Sequence, residues 1–316
     1  MVWYRQASDG WRRYLIDATP GLRIEAGGAY HDIDGDGDLD ILMGGDSRTN
    51  EVWWWENPAP NFDINQPWNR YLVKFDGETT HHDQIFGDFD GDGQTELVFW
   101  NQGAKTLFLA EIPEQPRQDI SWPRAAIYSW SDGADHEGLA AADIDLDGQL
   151  DIVGGGRWFK HESGLLFTPY EIDDSLRAGR VAIGQFIAGG RPEIVLGAGD
   201  GLGSLRWYHW DGMTWQGADL LDVMLERGHS LEVADINSDG YLDIFSAEMR
   251  LNQENEGSKM RFFLGDGAGG FDEFVLAKGI GNHEARIGDL DGDGDLDILG
   301  KPYNWETPRI DIWLHS

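Results

Sequence analysis

A nine-residue acidic segment recurs along this 316-residue chain and constrains its fold more than any other feature. In the clearest copy, Asp289–Asp297, acids stand at positions 1, 3, 5 and 9 and glycine at position 6. Several oxygens around one tight turn suit a hard cation such as calcium, and without a cation such crowded carboxylates would repel one another. An EF-hand would need an acid at position 12, where this copy has Gly300. The segment is therefore a calcium-type loop between strands.

The segment occurs in five intact copies, which begin at residues 32, 88, 143, 235 and 289, and in one worn copy, Gln185–Glu193. Successive copies start 42 to 56 residues apart, a period typical of propeller blades. We predict about five calcium ions in the intact loops and none in the worn one. The predicted ligands are Asp32, Asp34, Asp36, Asp40, Asp88, Asp90, Asp92, Glu96, Asp143, Asp145, Asp147, Asp151, Asp235, Asn237, Asp239, Asp243, Asp289, Asp291, Asp293 and Asp297.

Each repeat reads as four short strands. One strand precedes the loop and one follows it, a third is aromatic, as in Val52–Glu56, and a fourth often begins at Trp or Phe, as in Phe271–Val275. Apolar stripes with a helical period are not found. The pattern predicts an all-β fold, a single propeller domain over residues 1–316 with six four-stranded antiparallel blades.

The chain ends are predicted to complete the last blade. Arg309–Leu314 reads as a third strand and Trp11–Ile16 as a fourth, and their pairing would close the propeller without a covalent bond. Val2–Arg5 also reads as a third strand and is surplus, so seven blades are the alternative.

On these loops and strands the chain resembles the FG-GAP/VCBS repeat family, the calcium-loop β-propellers that include the integrin α-subunit head. The resemblance covers essentially the whole chain. It implies a scaffold in which calcium ties the turn between the first and second strands of a blade, and it implies no activity.

Composition excludes several classes of function. The formal charge of −33 argues against nucleic acid as a partner, and the absence of cysteine excludes thiol catalysis and disulfides. We see neither a membrane-spanning apolar stretch nor a signal peptide. Calcium loops are best filled where calcium is abundant, so we expect a periplasmic or extracellular location. A closed propeller has no free edge that demands a partner, so we expect a monomer.

Histidines recur upstream of the loops. His82, His229 and His283 stand six residues before the first loop aspartate, and His136 stands seven before it. On a regular strand, an even offset places a histidine on the same face as that aspartate, at the opposite end from the calcium. We predict that these histidines converge as a catalytic cluster. Converging imidazoles suit proton transfer or a transition metal such as Mn, Fe, Ni or Zn.

Basic and aromatic residues are predicted around the same mouth, where they suit a saccharide that carries a carboxylate. The predicted substrate-binding residues are Arg23, Arg180, Arg250, Lys301, Tyr303, Trp158 and Trp305. Trp158 and Trp305 could equally pack within blades. We interpret His31 and His209 as packing residues and His81 as a residue that supports the site.

Three stretches carry a narrower resemblance: His136–Asp143, Gly228–Asp235 and Gly281–Asp289. They are similar to bacterial VCBS proteins linked with sugar catabolism and to the propeller domain of fungal aldos-2-ulose dehydratase. Propeller polysaccharide lyases use related chemistry. The resemblance implies a carbohydrate-active lyase or dehydratase that performs β-elimination on a keto-sugar or uronate, with a histidine as the base. The alternative is a non-catalytic propeller that binds a glycan or a protein.

Overall fold

The computed structural model describes residues 1–251, 254–303 and 309–315, which fold almost entirely into β-strands. The chain divides into two compact units, one of residues 1–133 and 161–167, the other of residues 134–160 and 168–316. The assignment of residues 1–316 to one domain stays a prediction. Among the described residues, no helix is long and apolar enough to cross a membrane.

The first unit begins with a two-stranded hairpin, β1 (Val2–Ala7) and β2 (Gly10–Leu15). Two antiparallel four-stranded sheets follow, each with its strands in chain order. Their strands are β3 (Ala29–His31), β4 (Asp40–Gly44), β5 (Val52–Glu56) and β6 (Asn69–Lys74), then β7 (His81–Gly87), β8 (Glu96–Asn101), β9 (Thr106–Glu111) and β10 (Arg124–Ser129).

The next four-stranded sheet lies mainly in the second unit, and only the β13–β14 turn at residues 161–167 is assigned to the first. Its strands are β11 (Ala140–Ala142), β12 (Asp151–Gly154), β13 (Arg157–Ser163) and β14 (Leu166–Glu171). A short 3-10 helix, Asp174–Leu176, comes next in the chain.

Three more sheets belong to the second unit. The first has the order β15-β16-β18-β19, with β17 and β20 as a two-stranded addition, the second contains β21 to β24, and the third contains β25 to β27. The strands are β15 (Gly179–Gly184), β16 (Glu193–Ala198), β17 (Leu202–Gly203), β18 (Leu205–Trp210), β19 (Trp215–Asp219), β20 (Leu225–Glu226), β21 (Ser230–Ala234), β22 (Asp243–Ala247), β23 (Lys259–Gly265), β24 (Phe271–Lys278), β25 (Glu284–Gly288), β26 (Asp297–Lys301) and β27 (Asp311–Trp313).

Buried apolar strands explain why these sheets form. The second strand is the most buried one in most of the sheets, and β8 and β16 are buried along their whole length. In the first unit Trp54 and Phe99 are fully buried in one cluster. In the second unit Ile244 and Phe263 pack in another. β-branched and aromatic residues favour this pleated, two-sided environment.

The prediction of an all-β propeller with six blades is confirmed, and the described residues form no seventh blade. The predicted pairing of Trp11–Ile16 with the C-terminal strand is not met by the strand order of the described residues. β2 pairs with β1, the surplus strand, in a register that runs from Val2–Leu15 to Ala7–Gly10. A tight turn joins these two strands, so their pairing costs less loop-closure entropy than pairing with a strand at the far end of the chain.

Candidate functional site

The five intact acidic loops lie between the first and second strands of their sheets, as predicted. In each loop the first aspartate accepts hydrogen bonds from later backbone N–H groups. Asp289, for example, accepts from Gly292 at 2.7 Å and from Gly294 at 3.1 Å. The glycine at position 6 has φ between 89° and 97° in all five loops, a backbone conformation that favours glycine. The sequence thus folds each loop around its own carboxylates.

The donor sets fit calcium. Four loops gather carboxylate oxygens within 4.8 Å of one another, namely Asp32, Asp34 and Asp36; Asp88, Asp90, Asp92 and Glu96; Asp143, Asp145 and Asp151; and Asp289, Asp291 and Asp297. Oδ1 of Asp145 is buried and, within the described part of the chain, accepts no hydrogen bond. Burial, followed by the like charges of Asp36 and Asp34, raises the pKa of Asp38. A bound cation would stabilise the ionised carboxylate against both effects. Calcium would cross-link the loop there, while the number of sites stays a prediction.

The acid at position 9 also stabilises the turn by accepting backbone hydrogen bonds, a role that the residue type alone did not predict. Asp297 Oδ2 accepts from the backbone N–H of Leu290 at 2.8 Å, and Oδ1 accepts from that of His315 at 2.8 Å. The bond from the position-2 N–H recurs in the other five repeats, at Asp40, Glu96, Asp151, Glu193 and Asp243. Because the worn copy keeps it through Glu193, this brace does not depend on a metal-binding loop.

Basic side chains reach the carboxylates of two loops. Lys160 Nζ donates to Asp145 and, at 3.0 Å, to Asp147. Arg117 Nη2 lies 2.6 Å from Asp34 Oδ2 and 2.7 Å from Glu56 Oε1. Asp145 and Asp34 both occupy position 3 of a loop. In each of these two loops, a basic side chain of the protein therefore contacts a carboxylate that is predicted to bind calcium.

His82 lies in the first unit, where it pairs with a neighbouring carboxylate. Its Nδ1 is 2.7 Å from Asp83 Oδ2, and both side chains are buried. Asp83 has φ 43°, and the β7–β8 ladder shifts register between His82 and Gln84. This bulge breaks the alternation on which the six-residue offset relied, so the expectation that His82 shares a strand face with Asp88 is wrong.

His81, next to it, is a polar core residue. Its Nε2 accepts from Lys74 Nζ at 2.9 Å and from Asn101 Nδ2 at 3.2 Å, and its Nδ1 donates to the Gly45 carbonyl at 3.2 Å. These partners fix the neutral tautomer with hydrogen on Nδ1. Burial and the Lys74 charge lower the pKa of His81 to about 3, and burial lowers the pKa of Lys74 to about 8.

In the second unit, the structure brings together three of the predicted residues, His229, His283 and Arg180. The rings of His229 and His283 are stacked, with centroids 4.7 Å apart and planes at 23°. Arg180 Nη2 donates to His229 Nδ1 at 3.1 Å and to Glu284 Oε1 at 3.2 Å. His229 Nε2 donates to Asp200 Oδ1 at 2.8 Å. Nδ1 of His229 thus accepts and Nε2 donates, so both ring nitrogens are engaged.

His283 is the accessible member of the pair, since it is half-buried while His229 is only 4% exposed. The Tyr303 ring meets it edge-on at 5.0 Å between centroids. Its backbone N–H donates to the carbonyl of Lys301 at 2.7 Å, and burial lowers the pKa of the Lys301 ammonium. We call these five residues, His283, His229, Arg180, Lys301 and Tyr303, the His283 site.

The remaining predicted residues differ in burial and in partners. His136 is fully buried in the loop before β11. Trp158 is only 3% exposed and stacks on Tyr170. The prediction that it binds a sugar is therefore wrong, and Trp158 packs within its blade instead. Arg250 Nη1 donates to the carbonyl of Gly279. Trp305 lies outside the described residues, and Arg23 lies in the first unit.

The packing predictions for two other histidines are confirmed. His31 stacks on Phe86 with ring centroids 5.0 Å apart, and His209 lies against Trp207 at 5.3 Å.

Three acids around the histidines were missed by the sequence reasoning. Asp83 and Glu284 directly follow a predicted histidine, which was a usable signal. Asp200 stands in the glycine-rich segment 199–203, which reads only as a turn. Its partner His229 is 29 residues away, and no local pattern joins the two.

Comparisons with known proteins agree with this fold. The profile described as FG-GAP-like repeat matches residues 32–99, 88–154, 190–246 and 235–300. Integrin alpha-V from Gallus gallus is 28% identical over 187 residues, which cover 50% of this chain and 18% of that protein. The chain therefore spans less than a fifth of that relative's length.

Two solved structures are similar in fold. BP39L lectin from Burkholderia pseudomallei has a TM-score of 0.58 at 13% identity, over 93% of this chain and 83% of the lectin chain. BBS1N, solved in complex with ARL6DN, has a TM-score of 0.51 at 10% identity, over 91% of this chain and 78% of its own. At these identities the likeness is one of fold alone. The repeat profile, in contrast, matches more than half of the chain, so this chain belongs to the FG-GAP-like repeat family.

Proposed function

We propose that the His283 site of this propeller binds a saccharide that carries a carboxylate or a ketone. The site then breaks a carbon–oxygen bond of this saccharide by β-elimination. The observation that carries the proposal is one accessible imidazole, His283, in contact with the phenol ring of Tyr303 and bonded through its backbone to Lys301. β-Elimination needs a base for the C–H beside the carbonyl, positive charge for the enolate oxygen and an acid for the leaving oxygen. We assign the base to His283, the positive charge to Lys301 and Arg180, and the acid to Tyr303.

In the proposed reaction His283 removes the proton from the carbon next to the carboxylate or ketone. The freed electron pair forms a carbon–carbon double bond, and the bond from the β-carbon to its oxygen breaks. Tyr303 gives its proton to the leaving oxygen and regains one from His283 through solvent. Lys301 and Arg180 stabilise the charge on the enolate oxygen. Because both ring nitrogens of His229 are engaged, we assign to it the positioning of His283 and no metal.

A saccharide-binding module without catalysis is the second candidate. It is favoured by the burial of His82, His136 and His229, which keeps these rings from a substrate, and by the fold shared with a lectin. For both candidate functions we propose a location outside the cytoplasm, where the calcium concentration would keep the loops filled.

The experiment that separates them follows the absorbance of the conjugated double bond while the protein acts on uronate oligosaccharides and keto-sugars. His283→Ala and Tyr303→Phe are expected to lower kcat at least 100-fold, the lower end of general acid–base contributions. His315→Ala removes an exposed histidine and is the matched control, expected to retain full activity.

Saccharide binding by calorimetry without any unsaturated product would establish the binding module instead. Turnover that survives both His283→Ala and Tyr303→Phe would contradict the assignment of the reaction to this site.

A further inference from the structure

The first unit contains a cleft of about 370 Å³ that the His283 site does not use. It lies beside β5 and β6, and its polar lining consists of Thr19, Arg23, Arg48, Thr49, Glu51 and Arg70. The volume falls in the lower part of the range of about 300–1,000 Å³ for small-molecule sites. It therefore suits one or two sugar rings better than a large ligand.

The walls of the cleft are built by two loops, residues 19–23 and 46–51. The loops are joined where the backbone N–H of Asp46 donates to the carbonyl of Arg23 at 3.4 Å. A Cβ added at Gly45 would lie 2.3 Å from Thr49 Cγ2, so the second loop sits tightly on the preceding strand. Contacts within the chain thus hold the two loops that form the walls of the cleft.

The arginines of the cleft differ in their partners. Arg70 Nη1 donates to Asp17 Oδ2 at 3.0 Å. The guanidinium groups of Arg23 and Arg48 are exposed, and neither forms a hydrogen bond or an ion pair with any described residue. In a chain with a net charge of −33, two arginines without acidic partners at one cleft mark a local positive site.

The other polar groups narrow the class of ligand. Glu51 is half-buried in the same cleft, and a carboxylate is a poor neighbour for an inorganic anion but a good acceptor for sugar hydroxyls. Thr49 Oγ1 accepts from the backbone N–H of Glu51 at 3.2 Å, which leaves its own O–H to donate. Arginine forks bind carboxylates with two parallel hydrogen bonds.

We propose that this cleft is a second saccharide site, in which Arg23 and Arg48 bind the carboxylate of a sugar acid while Glu51 and Thr49 bind its hydroxyls. The inference goes beyond the proposed reaction, because the residues of the two sites belong to different units of the chain.

The test is calorimetric titration of the full chain with glucuronate, glucose and sodium sulfate at one ionic strength. We expect glucuronate to bind at least tenfold more tightly than glucose or sulfate. The double variant Arg23→Ala/Arg48→Ala should lose at least tenfold in affinity for glucuronate, whereas Arg13→Ala, an exposed arginine on β2, should bind like the wild type. Glu51→Gln should weaken glucuronate binding and strengthen sulfate binding.

Sulfate and glucuronate binding with equal affinity would overturn the sugar assignment, and unchanged glucuronate binding by the double variant would overturn the site. The melting temperature of each variant shows that it is folded. His283→Ala tells the two proposals apart, because it should abolish elimination and leave glucuronate bound to this cleft.

Discussion

His81 and His82 are neighbours in β7, yet their surroundings give them different chemistry. His81 is fully buried and receives hydrogen bonds from Lys74 and Asn101, so it stays neutral. His82 Nδ1 lies 2.7 Å from the carboxylate of Asp83, the residue that follows it. The chemistry of a histidine therefore depends on its partners in the fold, which the sequence around the histidine shows only in part.

His81 predicts a pH dependence of stability. Its folded pKa of about 3 lies below the ordinary value of 6.5, so the unfolded chain takes up a proton that the folded chain refuses. Stability should therefore fall as the pH drops from about 6.5 towards 3, by about 1.4 kcal/mol per pH unit from this residue. Gln can keep both bonds, accepting from Lys74 and donating to Gly45. In urea unfolding at pH 7 and pH 5, His81→Gln should lose less stability than the wild type.

His315→Gln alters an exposed histidine and is the control, expected to follow the wild type. An equal loss of stability in the wild type and His81→Gln would show that His81 is protonated in the folded state.

At the scale of elements, a lysine on the third strand of a sheet would compete with a cation for the carboxylates of the loop between the first two strands. Lys160 on β13 binds the acids at positions 3 and 5 of the loop that begins at Asp143. A cation in that loop must displace the ammonium or share the carboxylates with it.

The variant Lys160→Met removes the competing charge and keeps the apolar stem of the side chain. We expect calcium to bind about tenfold more tightly to this loop, a change of about 1.4 kcal/mol, because the repulsion between ammonium and calcium is lost. Calcium titration by calorimetry measures it. Lys278→Met, at an exposed position on β24, is the control, and identical titrations of all three proteins would exclude competition by Lys160.

Elements and loops were predictable because both are local patterns. The period of two along strands and the acid–glycine spacing of the loops operate within about ten residues. The bulge at Asp83 was not predictable, since it depends on the approach of Asp83 to Gly27, whose added Cβ would lie 2.6 Å from the Asp83 Cα. The His283 site was only partly predictable: the histidines share a local offset, but Arg180 and Glu284 are 104 residues apart.

At the scale of the molecule, the acidic loops contribute a large share of the negative charge. The net charge is −33, and about five calcium ions would contribute +10, which leaves about −23. Mutual repulsion of the carboxylates destabilises the folded chain when the loops are empty, and cations bound only to the folded chain stabilise it by mass action.

Calcium removal is therefore expected to lower the melting temperature. At calcium concentrations about 100-fold above its Kd, each filled loop contributes about 2.7 kcal/mol to stability. Scanning calorimetry in calcium, in chelator and after restoration of calcium measures the effect and separates it from any direct action of the chelator. A melting temperature that is the same in all three conditions would contradict a stabilising role for the loops.

The brace at position 9 has a consequence for how this repeat can change. The hydrogen bond from the position-2 N–H holds the turn whether the acid is Asp297 in an intact loop or Glu193 in the worn one. The position-9 acid thus keeps the turn hydrogen-bonded in every repeat, also where the acids at positions 1, 3 and 5 are absent. A repeat can therefore lose its metal-binding acids and keep its turn. The number of calcium ions that the protein binds can thus change one repeat at a time.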